Sequence, residues 1–380
     1  MKALVLGSGQ MGKGVAFDLV SHEICTEAFV GDINKQRAKE VADYAGPKVS
    51  PLKIDAENRE ELKDAFSDVD VVVSCVSYRI NPLHTEIAIE TGTNMVDLGG
   101  NYKIVEQQLQ MDKDAKEADI IVIPDCGLAP GMTNILVSSG IEYLDQTEDV
   151  GIRVGGLPKQ PRPPLNYSLV FSVEGLINEY VEPCRVIKDG KIDYEDPLVG
   201  FEQIDFPDPF GTLEAFNTSG GTSTLPSTYE GKVENLDYKT VRYPGHGHKM
   251  WTLLQLGLMN SEEITVETTK IAPRKLLEKL LKENLPEVKE DVTLLRVKIS
   301  GWKGTESRSI EYELIDHYDE ETGLTSMART TAFSASAVAT MICNGSIEER
   351  GVLPPELAVP SESFITEMRK RGIGIKKRIF

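Results

Sequence analysis

The chain has 380 residues, too many for a single hydrophobic core, so two domains are expected. It is 40% hydrophobic and 27% charged, as in ordinary soluble globular proteins, and it contains no apolar run of the roughly 18 residues that span a membrane. Its net charge of −19 argues against a nucleic-acid partner, since that partner requires a basic surface. Scattered cysteines without a CxxC pair, and a start that lacks a secretory pattern, indicate a cytoplasmic protein without disulfides or structural zinc.

The first elements of the chain form a strand, a glycine turn and a helix. "KALVLG" is a short apolar strand, and "SGQMGKGVAFDLVS" continues at helical spacing. The glycines permit a tight turn, a close approach of a pyrophosphate and close helix–strand packing, while the helix N-terminus offers free amides to phosphates. The sequence therefore predicts a dinucleotide site whose first contacts are Gly7, Gly9, Gln10, Met11 and Gly12.

An acidic residue follows the second predicted strand, "EAFVGD", about 20 residues beyond the glycines. At this place a carboxylate accepts a hydrogen bond from the 2′-hydroxyl of an adenosine ribose and repels a 2′-phosphate. Asp32 therefore predicts NAD as the cofactor in preference to NADP. Its alternative role is to cap the following helix, "NKQRAKEVADY".

Strands and helices then alternate as far as the buried strand "DIIVIPD", which predicts a doubly wound parallel sheet over residues 1–126. One long helix is expected over "NYKIVEQQLQMDKDAKEA". Ligands of such sheets bind at the carboxyl ends of the strands. The further cofactor-binding candidates at these ends are Cys75, Val76, Ser77, Asp97 and Gly99.

The pattern changes beyond residue 126. "VGIRVGGLP" and "LNYSLVFS" resemble strands, "CRVIKDGKIDYED" a hairpin and "KLLEKLLKENL" an amphipathic helix. "TLLRVKISGWKGTESRSIEYELIDHYD" predicts two long antiparallel strands. Residues 127–325 are therefore predicted to form a substrate and dimerisation domain of α+β type with a largely antiparallel sheet.

Long stretches of this half resemble the saccharopine dehydrogenase-like family. They include "DCGLAPGMTNIL", "GGTSTLPSTYEGKVENLDYKTVRYPGH", "ARTTAFSASAVATMICNGSIEERGVLPPE" and "RKRGIGI", and the resemblance extends over essentially the whole chain. It implies a Rossmann domain, an inserted substrate domain, and C-terminal helices over 326–380 that return to the first domain. It also implies a homodimer or higher homo-oligomer.

The resemblance further implies a pyridine-nucleotide-dependent reaction at an amine nitrogen of lysine or of a lysine derivative. The expected reaction is the NAD-dependent oxidative deamination of the lysine ε-amine. The alternative is a secondary amine, as in saccharopine reduction or in a carboxynorspermidine-type dehydrogenase. A protein of another class, which binds the nucleotide without catalysis, is a third reading that the many polar groups disfavour.

Amine oxidation by hydride transfer requires a base, because the amine must be neutral before hydride leaves. The candidates by chemistry are His246, Glu174 and Asp125, in that order. Glu174 has the alternative of an exposed helix face, and Asp125 that of a helix cap. The sequence does not choose among the three.

The segment "RYPGHGH", residues 242–248, is predicted to be a loop between a strand and a helix that presents side chains to the substrate. Two histidines at i and i+2 without a nearby carboxylate are poor metal ligands, so no metal is expected. An arginine here offers paired donors to the α-carboxylate of lysine. The substrate-binding candidates are Arg242, Tyr243, Cys126, Tyr229 and Lys232.

Overall fold

The computed structural model describes residues 1–170, 172–286 and 288–380 and divides them into two compact units. The first comprises Met1–Leu144, Ser223–Leu225 and Ala328–Ile375, and the second comprises Asp145–Thr222, Pro226–Met327 and Lys376–Phe380. The sequence places the boundaries at 126 and 326. The structure differs because residues 127–144 stay in the first unit, while the last five residues belong to the second.

The strands of both units are, in chain order, β1 Lys2–Leu6, β2 Glu27–Asp32, β3 Val49–Lys53, β4 Val71–Ser74, β5 Asn94–Asp97, β6 Ile121–Ile123, β7 Gln146–Pro158, β8 Cys184–Lys188, β9 Lys191–Glu195, β10 Glu202–Phe206, β11 Gly211–Asn217, β12 Val233–Arg242, β13 Ile264–Val266, β14 Thr269–Ile271, β15 Asp291–Lys303, β16 Glu306–His317, β17 Gly351–Val352 and β18 Lys376–Ile379.

The α-helices are α1 Gln10–Ser21, α2 Lys35–Ala45, α3 Arg59–Ser67, α4 Asn81–Thr91, α5 Tyr102–Leu109, α6 Asp112–Glu117, α7 Met132–Tyr143, α8 Val173–Glu179, α9 Leu225–Tyr229, α10 His246–Gln255, α11 Pro273–Asn284, α12 Ser326–Cys343, α13 Pro355–Ala358 and α14 Ser361–Lys370. In the described ranges, no helix is long and apolar enough to cross a membrane.

The first unit is built on a parallel sheet with the strand order β17-β6-β5-β4-β1-β2-β3. This confirms the predicted doubly wound sheet, although the short strand β17 at its edge was not predicted. Apolar residues of its strands and helices form a core cluster that includes Leu4, Leu6, Phe66, Val72, Ile87, Met95, Val122 and Val352. Because these parallel strands are packed through their apolar residues, their carboxyl ends lie at one edge of the sheet. The polar residues that follow each strand therefore lie at that edge.

The C-terminal residues 328–375 pack on α1 within the same unit. Small residues make the contact, since a Cβ added at Gly14 would lie 2.7 Å from Cβ of Ala332. A buried polar group reinforces it: Asp18 accepts hydrogen bonds from the Ser336 hydroxyl and from Nε of Arg371, the latter at 2.7 Å. Breaking one side of such a buried ion pair costs about 3–5 kcal/mol, because the other charge is left without a partner.

The second unit contains a mixed sheet with the order β10-β11-β12-β7-β15-β16-β18, to which the β8–β9 hairpin adds beside β12. Among the described strands of this sheet, β12 and β7 pair in parallel and the other neighbours pair antiparallel. The predicted hairpin over 184–196, the two long strands over 293–319 and the amphipathic helix α11 are all present. The largely antiparallel α+β class predicted for this half is confirmed.

Two predicted elements differ from the structure. The long helix predicted over 101–118 is divided into α5 and α6, because a turn at Gln110 and Met111 lets both Leu109 and Ala115 face the core. The strand predicted over 165–172 is wrong for residues 165–170, which form turns and irregular backbone, and Phe171 lies outside the described residues. Its apolar side chains still enter a core cluster through Leu165, Tyr167 and Val170.

Candidate functional site

The turn between β1 and α1 has the geometry of a phosphate cradle. Gly7 has φ +97°, and a Cβ at Gly12 would lie 1.8 Å from the carbonyl oxygen of Gly7, so both positions require glycine. A Cβ at Gly9 would stand in open space. Gly9 also caps α1 without a side chain, and the first amides of a helix, here those of Gln10 and Met11, have no intrahelical acceptor and can donate to a phosphate.

Asp32 ends β2 beside this turn. Its Oδ2 accepts hydrogen bonds from the amide of Ser8, at 2.9 Å, and from the Ser8 hydroxyl, while Oδ1 accepts from the amide of Asn34 at 2.8 Å. Partial burial acts to raise the pKa of Asp32, but the hydrogen bonds outweigh it and hold the pKa below its usual value. The N-terminal cap of α2 is Asn34, so the capping role considered for Asp32 belongs to Asn34. Asp32 is therefore an ionised, oriented acceptor next to the glycine turn.

The ends of β4 and β5 contribute the next groups. Cys75 and Val76 are half-buried and Ser77 is exposed; Cys75 approaches the turn, since its carbonyl oxygen would lie 2.9 Å from a Cβ at Gly7. Burial, followed by the charge of Asp97, raises the pKa of the Cys75 thiol, so this side chain stays protonated.

Asp97 is fully buried and accepts hydrogen bonds from the amides of Gly99 and Asp125, at 2.7 and 3.2 Å, and from Nε2 of Gln108 at 2.8 Å. Burial raises its pKa against these hydrogen bonds. Gly99 has φ +67°, and a Cβ there would lie 1.6 Å from Oδ1 of Asp125. Only glycine leaves room for the side chain of Asp125.

Asp125 follows β6, is fully buried and has a left-handed backbone with φ 59°, a strained conformation for a residue other than glycine. The hydroxyl of Ser223 donates a hydrogen bond to its Oδ2. Burial and the charge of Asp97 raise the pKa of Asp125 to about 7, against the effect of the Ser223 hydrogen bond. The capping role is taken by Gly131, since α7 begins at Met132. Asp125 is thus a carboxyl group that can gain or lose a proton near neutral pH.

A second polar group lies at the start of α7. The Nδ2 of Asn134 donates to Glu356 at 3.0 Å and to Oγ1 of Thr224 at 3.4 Å, so three distant parts of the chain meet here. Cys126 is fully buried with its Sγ 3.3 Å from the carbonyl oxygen of Ile123, and burial raises the pKa of its thiol. Cys126 is thus a buried, protonated side chain of the first unit.

In the second unit, Arg242 ends β12 and is only 3% exposed. Its Nη2 lies 3.8 Å from Oε2 of Glu179, and its guanidinium carbon lies 4.9 Å from the ring centre of Tyr167. The adjacent Tyr243 turns away from this group and donates its hydroxyl to the carbonyl oxygens of Pro158 and Lys159, at 3.1 and 3.2 Å. The predicted substrate candidates Arg242 and Tyr243 therefore have different partners.

The predicted loop over 242–248 is shorter than expected, because α10 already begins at His246. His246 is fully buried: Nδ1 lies 2.9 Å from the carbonyl oxygen of Leu165, and Nε2 lies 3.0 Å from the hydroxyl of Tyr180. Burial and the charge of Arg242 lower the pKa of His246 to about 3. The imidazole is therefore neutral, with both nitrogens occupied. His248 stacks on Phe201 at the surface of the helix.

The remaining candidates are Glu174, Tyr229 and Lys232. Glu174 is exposed in the first turn of α8, 3.2 Å from Nζ of Lys282. Tyr229 ends α9 and is buried, whereas Lys232 is exposed with its ammonium 5.9 Å from the Tyr229 ring centre. Within the described ranges, no group of three or more His, Cys, Asp or Glu side chains is arranged to hold a metal ion.

Sequence reasoning missed Ser223, Glu179 and Glu356 as partners of the candidate residues. Ser223 lies 98 positions from Asp125 in the chain, and Glu356 lies 222 positions from Asn134, so no local pattern connects either pair. For Glu179 a weak signal exists, because helical spacing brings it near Asn178 and Glu174 in a segment rich in polar residues.

The glycine turn, Asp32 and the polar strand ends define the first unit as a dinucleotide-binding domain of the Rossmann class. The chain belongs to the saccharopine dehydrogenase family. Residues 3–123 match the saccharopine dehydrogenase NADP binding domain, and residues 127–373 match the saccharopine dehydrogenase C-terminal domain.

Named relatives agree with this assignment. Mitochondrial alpha-aminoadipic semialdehyde synthase of Bos taurus is 22% identical over 93% of this chain, which spans only 45% of that protein's length. The Saccharomyces cerevisiae saccharopine dehydrogenase (NADP(+), L-glutamate-forming) is 23% identical over 80% of this chain and 69% of its own. The solved structure of apo histidine-tagged saccharopine dehydrogenase (L-Glu forming) from Saccharomyces cerevisiae covers 100% of this chain and 99% of its own, with 20% identity and a TM-score of 0.82. That similarity establishes the shared fold.

Proposed function

We propose that the chain catalyses the NAD-dependent oxidative deamination of the ε-amine of L-lysine, the reaction of a lysine 6-dehydrogenase. Lysine with a neutral ε-amine, NAD and water give 2-aminoadipate 6-semialdehyde, ammonia, NADH and a proton. The aldehyde and its own α-amine then condense to the cyclic imine piperideine-6-carboxylate. A nicotinamide dinucleotide supplies the hydride acceptor when bound. The tasks of the protein are to hold the substrate, to take up its proton and to direct water.

The observation that carries the proposal is the carboxyl group of Asp125. It lies after β6 at the strand ends where ligands of a doubly wound sheet bind, and its pKa of about 7 suits a general base at neutral pH. Its strained backbone and the close approach of Gly99 hold it in one orientation. The same carboxyl group can then activate the water that attacks the imine of the substrate.

The other two candidate bases are less suited to this task. His246 has both ring nitrogens occupied and a pKa of about 3, so it is a weak base whose hydrogen bonds hold α10 in place. Glu174 is exposed, and its pKa lies below the usual value through a backbone hydrogen bond and its Lys282 partner. We therefore assign the base to Asp125 and a positioning role to His246.

NAD is proposed as the cofactor because of Asp32. An ionised carboxylate held by Ser8 and Asn34 can accept a hydrogen bond from a ribose 2′-hydroxyl, and it repels a 2′-phosphate. Residues 3–123 match a domain whose description is NADP binding, and the proposed preference for NAD rests on Asp32. The free amides at the start of α1 suit the pyrophosphate of either cofactor.

Arg242 is proposed to bind the α-carboxylate of lysine. A guanidinium offers two parallel donors to a carboxylate, and it remains charged even when buried. A carboxylate clamp also suits the second candidate function, oxidation of a secondary amine such as saccharopine. That candidate is favoured by the names of the relatives.

One experiment separates these functions. The full chain is incubated with NAD or NADP and with lysine, ornithine, saccharopine or cadaverine, and NADH or NADPH formation is followed by absorbance. We expect lysine with NAD to give the highest kcat/KM, with ammonia released in equal amount to NADH. Saccharopine as the better substrate would replace the proposal with the secondary-amine function, and nucleotide binding without turnover of any amine would refute both.

A further inference from the structure

The guanidinium of Arg242 is buried but poorly satisfied. It carries five N–H donors. Its Nη1 donates to the carbonyl oxygen of Val241 at 3.0 Å and the guanidinium also hydrogen-bonds Tyr180, but its buried Nε has no partner among the described residues. A buried polar group without a hydrogen bond destabilises the fold by about 1–3 kcal/mol, and more when it is charged. Such a group in a folded protein indicates that something else completes its hydrogen bonds.

The carboxylate beside it does not complete them. Oε2 of Glu179 is 3.8 Å from Nη2 of Arg242, beyond hydrogen-bond distance, and the described residues provide no hydrogen bond to this carboxylate. A structural arginine–carboxylate pair closes to about 2.7–2.9 Å, often with two parallel hydrogen bonds. This pair stays open although both side chains are held by regular elements, Glu179 at the end of α8 and Arg242 at the end of β12.

The surroundings favour a charged ligand at this place. The ring of Tyr167 lies against the guanidinium, and Tyr180 is buried and engaged with His246. Burial raises the pKa of Glu179 to about 7, against the charge of Arg242. Glu179 is 28% exposed whereas Arg242 is 3% exposed, so the glutamate is the member of the pair that faces solvent.

We propose that Arg242 and Glu179 together bind an α-amino-acid head group, Arg242 the α-carboxylate and Glu179 the α-ammonium. The α-carboxylate and the α-ammonium of an amino acid are attached to the same carbon. Such a zwitterion can therefore place its carboxylate against Arg242 and its ammonium against Glu179, whose own side chains do not close on each other. Glu179 then distinguishes an α-amino acid from a chain that ends in a carboxylate alone. This inference rests on the proposed function and names the residue that selects the head group.

The test uses two analogues of lysine that each lack one group. Cadaverine lacks the carboxylate, and 6-aminohexanoate lacks the α-amine. Glu179→Gln should lower the ratio of kcat/KM for lysine to that for 6-aminohexanoate by at least about 10-fold, the loss of one charged hydrogen bond, while 6-aminohexanoate itself changes little. Arg242→Ala should instead reduce the ratio of lysine to cadaverine. Glu182→Gln, which removes an equal charge three residues further on, should leave both ratios unchanged.

A binding measurement makes the inference independent of turnover. Norleucine carries the same head group as lysine but has no ε-amine, so it cannot be oxidised, and hexanoate lacks the α-amine as well. Calorimetry on the full chain should show that norleucine binds and hexanoate does not, and that Glu179→Gln removes the difference. If the wild type binds both alike, or if the variant keeps the wild-type selectivity, the inference is refuted. Wild type that binds norleucine but does not oxidise lysine would refute the proposed function and leave the head-group site standing.

Discussion

Replacing Asp125 with asparagine should lower kcat strongly and stabilise the protein at the same time. Asparagine keeps the shape of the side chain and can still accept a hydrogen bond from Ser223, but it cannot take up a proton. Loss of a general base lowers kcat by about 10²–10⁴-fold. The gain in stability follows because a carboxyl group with a raised pKa is destabilising whenever the unfolded chain would ionise it.

The size of the effect can be worked out from the pKa. Asp125 has a pKa of about 7 in the folded protein, against about 3.9 in an unfolded chain. Below about pH 4 both states are protonated, and the group has no effect on the free energy of unfolding. Between pH 4 and 7 the unfolded state loses its proton first, so stability falls as pH rises. Above pH 7 the accumulated loss reaches about 4 kcal/mol.

Denaturant unfolding of wild type and Asp125→Asn between pH 4 and 8 measures this quantity. The difference in free energy of unfolding should grow with pH in favour of the variant, by up to about 4 kcal/mol, and then level off. Asp68→Asn, which neutralises an exposed carboxylate in the same unit, should show little such growth. A difference that stays constant or shrinks with pH would show that Asp125 does not carry a buried, proton-binding carboxyl group.

Asp32→Asn removes the charge that repels a 2′-phosphate, so the preference for NAD over NADP should narrow by about 10-fold or more; equal ratios of kcat/KM in variant and wild type would contradict the ribose role. Ser223→Ala removes a hydrogen bond that favours ionised Asp125, so the acid side of the kcat/KM profile should move upward by about one pH unit. The control is Ser138→Ala, which removes a different buried serine, one that hydrogen-bonds to Glu142. Identical kcat/KM profiles for the two variants would show that Ser223 does not favour the ionised form of Asp125. Lysine oxidation by wild type should accelerate up to about pH 10, because the free ε-amine has a pKa of about 10.4; a flat profile from neutral pH would mean that amine deprotonation does not limit the rate.

Much of the cofactor site could be predicted because its signals are local. The glycines of the first turn lie within six positions, and the spacing from them to Asp32 follows from one helix and one strand. Alternation of apolar strands and helices then implies a parallel sheet, and this placed Asp97 and Asp125 at the same edge before their contacts were known. The long helix over 101–118 failed because its turn depends on how Leu109 and Ala115 reach the core.

The roles of the titratable groups could not be predicted in the same way. His246 is the most attractive base by residue type, yet the structure buries it between Leu165 and Tyr180, and burial lowers its pKa to about 3. Asp125 was last among the three candidates, and burial beside Asp97 raises its pKa to about 7. A pKa depends on desolvation and on neighbouring charges, which are properties of the packed chain.

The fold class, the dinucleotide turn and the family could be determined from the sequence alone. The periodicity, the glycine spacing and the motifs that indicate them are local patterns that can be read without the tertiary structure. The tertiary structure alone decided which polar groups meet. Ser223 reaches Asp125 across 98 positions, and Glu179 approaches Arg242 through the packing of α8 near the end of β12. The protonation state and the pKa of a buried group depend on its distances to such remote residues, and those distances are set only when the chain folds.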